Sequence, residues 1–184
     1  PDADAAAAAL AAQQGQPAAA VAALQAAFAK ERSTLRLLQL ADAERQRGER
    51  EAARALLTDW LTAHPDDLLA RESLAMADLG DGRMQEARAG FERLLAAQTG
   101  HAVALNNLAW LYDEAGDPRA LDYAQRAHQQ LPESPEAADT LGWILVRQGQ
   151  VQRGLKLIEQ AVAGLGQDPT VHYHHAWALD AADE

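Results

Sequence analysis

The chain contains no cysteine. Disulfides and thiolate-bound metals are therefore excluded, and the redox compartment stays open. Basic residues are in the minority: 16 Lys and Arg stand against 27 Asp and Glu, a formal charge of −11. Such a balance argues against binding a nucleic-acid backbone, and it offers no polybasic face to anionic lipid. No apolar run approaches the roughly 20 residues that cross a bilayer, so direct membrane insertion is not expected. No basic stretch followed by an apolar core marks a secretion signal. The chain opens on Pro1-Asp2 inside a repeating pattern, which leads us to expect a piece of a longer protein and deprives the missing signal of weight. Chemistry-bearing motifs are missing too: there is no nucleophile elbow, phosphate-cradling glycine loop or zinc-binding helix motif. No carboxylate pair is spaced as an acid/base couple, so neither catalysis nor a cofactor is expected. Aromatics make up only 5% of the 184 residues. With alanine abundant, this composition suits closely packed helices better than a sheet, and the length suffices for one domain with a substantial core.

What is present is a period. The glycines Gly15, Gly48, Gly82, Gly116 and Gly149 step by 33, 34, 34 and 33. A second series, Ala8, Ala41, Ala75, Ala109, Gly142 and Ala176, steps by 33, 34, 34, 33 and 34. A third, Ala20, Ala53, Ala87, Ala120 and Gly154, keeps the same pace at 33, 34, 33 and 34. Composition alone would scatter alanines without holding three registers in step. Each unit reads as a helix A, a glycine turn, a helix B and a break. Leu37, Leu40, Ala41 and Glu44 fall on one helical stripe, and Ala53, Leu57 and Trp60 form the stripe of the following helix. Pro65 and Pro132 end their helices B, because proline disfavours a helical conformation in the residue before it. Small residues at the helix crossing allow a close approach that a larger side chain would prevent. One such hairpin cannot bury its stripe alone, so neighbours must stack. The first unit is the least specified, since Ala5 to Ala9 offers helix propensity but little side-chain volume.

The unit length and the small/large order resemble the tetratricopeptide repeat. The resemblance covers the chain as five units, about 1–33, 34–67, 68–101, 102–134 and 135–168, with a half repeat at 169–184. It implies an all-α fold, a right-handed α-solenoid of antiparallel helix hairpins with one terminal helix. The stretches Ala104-Leu105-Asn106-Asn107-Leu108-Ala109-Trp110, Asp139-Thr140-Leu141-Gly142-Trp143-Ile144-Leu145-Val146 and His172-Tyr173-His174 resemble a narrower group. These are the bacterial tetratricopeptide lipoproteins associated with exosortase (PEP-CTERM) sorting and exopolysaccharide production. That resemblance implies a place in the cell envelope or periplasm, with the cytoplasm as the alternative.

The repeat resemblance also implies that helices A line a concave groove, with their positions 2, 5, 9 and 12 facing into it. Trp110, Trp143 and Trp177 then share one register on consecutive helices, with Met76 as a further apolar rung. Asn106, Asp113, Glu136, Asp139, Arg147 and Tyr173 complete the candidate groove. The tryptophans either carry partner binding, as large aromatics at interfaces do, or pack sideways as core. The carboxylates either select an apolar or basic segment or simply solubilise the surface. Trp60 is assigned to the core. Asn107 matches the asparagine of a carboxylate clamp, but Glu136 and Thr140 stand where basic residues should follow, which argues against carboxylate capture. His172 and His175 lie one turn apart, with His174 between them, yet two imidazoles without a third ligand make a poor metal site. The expected function is a protein-interaction scaffold that binds partner segments. Stacking on polysaccharide, or self-association through His172, His175 and Leu179 of the last helix, are the alternatives.

Overall fold

The computed structural model describes residues 3–183. The Pro1-Asp2 start therefore lies outside the described residues, as does the side chain of Ala5. Among the described residues there is no strand. The helices are α1 (Ala3–Gln13), α2 (Pro17–Lys30), α3 (Thr34–Gln46), α4 (Arg50–Ala63), α5 (Leu68–Gly80) and α6 (Met84–Ala97). They continue as α7 (Ala102–Glu114), α8 (Ala120–Gln130), α9 (Pro135–Arg147), α10 (Val151–Leu165) and α11 (Pro169–Asp183). Odd-numbered helices are the A helices of the period and even-numbered ones the B helices. From α3 onward the A helices begin at the first residue of each sequence unit.

The turn glycines have a geometric cause. Gly15, Gly48, Gly82, Gly116 and Gly149 all adopt positive φ, between 67° and 85°. A side chain there would be strained, whereas glycine enters this region freely. A second periodic device lies at the other end of the A helices α3, α5, α7, α9 and α11. Ser33, Asp67, His101, Ser134 and Asp168 step by 34, 34, 33 and 34, and each side chain accepts a backbone N–H of the helix it precedes. Donors that the first turn would otherwise leave unpaired are satisfied in this way.

The chain forms two compact units, Pro1–Gly90 and Phe91–Glu184, divided inside α6. In the first unit, Leu37 and Ala41 of α3 pack with Ala53, Leu57 and Trp60 of α4 and with Ala70 of α5. The Asp67 carboxylate ties three helix ends together. It caps α5 at Ala70, and it accepts the Trp60 indole N–H at 2.7 Å and the Thr34 hydroxyl at 2.5 Å. The α1–α2 hairpin buries mainly alanine: Ala8, Ala11, Ala20 and Ala27, together with Val21.

In the second unit, Phe91, Leu94, Leu105, Leu108 and Tyr112 are buried. The Tyr112 hydroxyl donates to Glu92 at 2.8 Å. Burial and that hydrogen bond raise its pKa above the usual phenol value. Helices α9 and α10 cross at Gly142 and Gly154. A Cβ on Gly154 would sit 2.5 Å from the Gly142 carbonyl oxygen, and one on Gly142 would sit 2.8 Å from the Gly154 carbonyl. The crossing thus needs glycine on both sides, at the register where the earlier hairpins carry alanine.

Candidate functional site

The position of α11 follows from its buried stripe. Val171 joins Ala138 of α9 and Ala161 of α10, while Ala178 joins Val146 of α9 and Ile158 of α10. Between these two anchors lies His174, also buried. Tyr173 and Trp177 each precede a member of this stripe by one residue, about 100° around the helix. The register that buries His174 and Ala178 therefore keeps both aromatics accessible: Tyr173 is 60% exposed and Trp177 43%. Four residues apart, they lie on one face of α11.

Trp143 of α9 joins them. Its ring centroid lies 5.4 Å from that of Trp177 in an edge-on arrangement and 5.9 Å from that of Tyr173. Both fall within the range of favourable aromatic pairs. The His174 imidazole stacks on Trp143 with centroids 4.2 Å apart and planes 17° apart. Its Nδ1 lies 2.8 and 3.0 Å from the two carboxylate oxygens of Asp139. His174, expected only beside the poor His172 and His175 metal site, instead engages the Asp139 carboxylate. The signal was there: Asp139 and His174 are 35 residues apart, close to one repeat, so they come from successive A helices.

Only some of the groove residues expected from the sequence come together. Trp143, Tyr173 and Trp177 come together as a cluster. Trp110 is half-buried on α7 and takes no part in the ring contacts recorded among the described residues. Met76 is exposed, but it belongs to the first unit. Asp139, expected as an open groove acid, is instead a buried structural carboxylate, 8% exposed and engaged by His174. Val146, at the last of the four facing positions, is likewise buried because it packs under Ala178. Asp113 accepts from Arg147 at 2.5 Å, a link between α7 and α9 across 34 residues. Glu136 is exposed and accepts the Ser134 hydroxyl at 2.7 Å. Asn106 is half-buried, and its Oδ1 has no hydrogen-bond partner among the described residues. Asn107, the residue at the clamp position, donates to the Val103 carbonyl of its own helix at 2.8 Å. Trp60 is buried, as expected of core.

Of the other histidines on α11, His172 is exposed with Nε2 3.0 Å from the Gly166 carbonyl, and His175 is half-buried. Among the described residues no three His, Cys, Asp or Glu side chains gather as a metal site. Among the described residues no helix is long and apolar enough to cross a membrane.

No family model matches the sequence, and no curated protein is significantly similar to it. Solved structures do match. A tetratricopeptide repeat protein from Parabacteroides merdae superposes with a TM-score of 0.78 at 17% identity, covering 98% of this chain and 72% of its own. The fold is that of the tetratricopeptide repeat. MamA from Desulfovibrio magneticus gives a TM-score of 0.68 at 20% identity, over 85% of this chain and 89% of its own. YrrB, described as a tetratricopeptide repeat protein with an unusual peptide-binding site, gives 0.67 at 19% identity, over 87% of this chain and 89% of its own. At these identities the likeness establishes the tetratricopeptide fold and nothing further.

Proposed function

We propose that the chain is a non-catalytic interaction scaffold, and that the second unit binds an extended partner segment across the face formed by α7, α9 and α11. The observation that carries this reading is the Trp143–Tyr173–Trp177 cluster. Its two outer rings are held exposed by the packing of their own helix, and nothing in the core requires them. Exposed aromatics on a rigid element lose little conformational entropy on binding and supply large contact area, the profile of interface hot spots. YrrB, similar in fold, is described as having a peptide-binding site, which is consistent with this use of the repeat.

The narrower setting rests on the sequence resemblance alone. We place the scaffold in a bacterial envelope system for protein sorting or exopolysaccharide secretion, with a cytoplasmic role as the alternative. The experiment is an array of extended peptides probed with the wild-type chain and with the Tyr173→Ala/Trp177→Ala double variant. Peptides retained by the wild type and lost by a variant of unchanged helical circular dichroism are expected. Equal retention by both would end this assignment. Oligosaccharides quenching tryptophan fluorescence where no peptide does would move it to polysaccharide.

A further inference from the structure

The charges of the second unit are segregated by helix layer. Helices α7, α9 and α11 carry six carboxylates, Asp113, Glu114, Glu136, Asp139, Asp180 and Asp183, against a single guanidinium, Arg147. The B helices reverse the balance: α8 and α10 carry Arg126, Arg153 and Lys156 against Asp122 and Glu159. In the first unit, the A helices α3 and α5 mix Arg36, Arg45 and Arg71 with Asp42, Glu44, Glu72 and Asp78. Solubility alone would not require acid on one layer of one unit.

Arg147 does not spoil this field, because Asp113 holds it at 2.5 Å and Glu114 lies 3.9 Å away. Asp139 is engaged by His174. Glu136 and Asp180 are exposed, with no cationic partner among the described residues, and they flank the aromatic cluster along their helices. Asp180 is three residues beyond Trp177 and seven beyond Tyr173, on the same stripe of α11. Glu136 is seven before Trp143 on α9.

We propose that this face takes a basic segment of a protein partner, an Arg or Lys side chain lying against the exposed rings of Tyr173 and Trp177 with Glu136 and Asp180 at the rim. The inference rests on the peptide-binding reading above and names its occupant. A cation over an aromatic face is attracted by the ring quadrupole within about 6 Å of the centroid. The carboxylates raise the local concentration of cationic segments and repel acidic ones. An apolar side chain would use the rings but gain nothing from the rim. An anionic polysaccharide would be repelled by it.

The test compares three peptides of one length by calorimetry with the full chain at low salt. One bears arginine, one has citrulline in its place, and one bears glutamate. The arginine peptide is expected to bind roughly 3- to 30-fold more tightly than the citrulline peptide. That preference should shrink as NaCl rises toward 0.5 M, where screening is strong. The surface variant Glu136→Gln/Asp180→Asn should reduce the preference without altering the fold. Equal affinity for arginine and citrulline peptides would overturn the cationic occupant and leave the peptide-binding reading standing. Binding of none of the three by the folded chain would overturn both.

Discussion

A few side chains hold several helix ends at once. Asp67 accepts from a helix N-terminus, an indole and a hydroxyl. Burial pushes its pKa up, but the hydrogen bonds from Thr34, the Ala70 N–H and Trp60 outweigh it, so the net shift is below the usual carboxylate value. Between that lowered value and the ordinary one, the folded chain binds fewer protons at Asp67 than the unfolded chain does. Its contribution is therefore fully present above the unfolded value and is lost as pH falls through the lowered folded one. Asp67→Ala should cost about 2–3 kcal/mol at neutral pH, from the lost cap and the donors left unpaired. Urea unfolding should also show a flatter acid limb for the variant than for the wild type. The Asp139–His174 pair joins α9 to α11 through two side chains. His174→Ala leaves a buried carboxylate unpartnered and should cost about 1–3 kcal/mol. Asp139→Leu/His174→Phe, which replaces both partners by apolar groups, should recover much of that loss in thermal unfolding.

The A and B helices were legible in the sequence because glycine, alanine and the large apolar residues each keep a fixed place in the period. The turn glycines were legible for a sharper reason, since a positive φ admits few residue types. The caps are equally periodic but not legible as such, because Ser33, Asp67, His101, Ser134 and Asp168 share a role and not a residue type. The aromatic cluster was only half visible. The register of Trp143 and Trp177 could be counted, but the burial of Asp139 depends on His174 reaching it from the next A helix, which no single repeat reveals. Two glycine substitutions separate the physical causes. Gly154→Ala drives a methyl into the α9 backbone and should cost about 1–3 kcal/mol by overpacking. Gly149→Ala meets nothing within 4 Å and should cost about 1 kcal/mol through its backbone conformation alone. Thermal or urea unfolding of both variants measures that difference.

At the scale of the whole chain, stability in stacked hairpins is close to a sum of each hairpin and its contacts with its neighbours. The α1–α2 hairpin, buried through alanine, should then exchange its amide hydrogens fastest, and α9–α10, with its glycine crossing, among the slowest. The same scale carries the functional claim, since −11 of net charge is spread over the chain but among the described residues only the A helices of the second unit join carboxylates to exposed aromatics. The four tryptophans report on this directly, because Trp60 is sealed in the first unit's core while Trp143 and Trp177 border the proposed binding face. The decisive measurement is a titration of the full chain with an arginine-bearing peptide, followed by the four indole N–H signals in a nitrogen-correlated NMR spectrum. Saturable shifts at Trp177 and Trp143, with Trp60 unmoved, are the expected result. A bound peptide that leaves Trp177 and Trp143 in place, or that moves Trp60 as much as either, would contradict the assignment of this face.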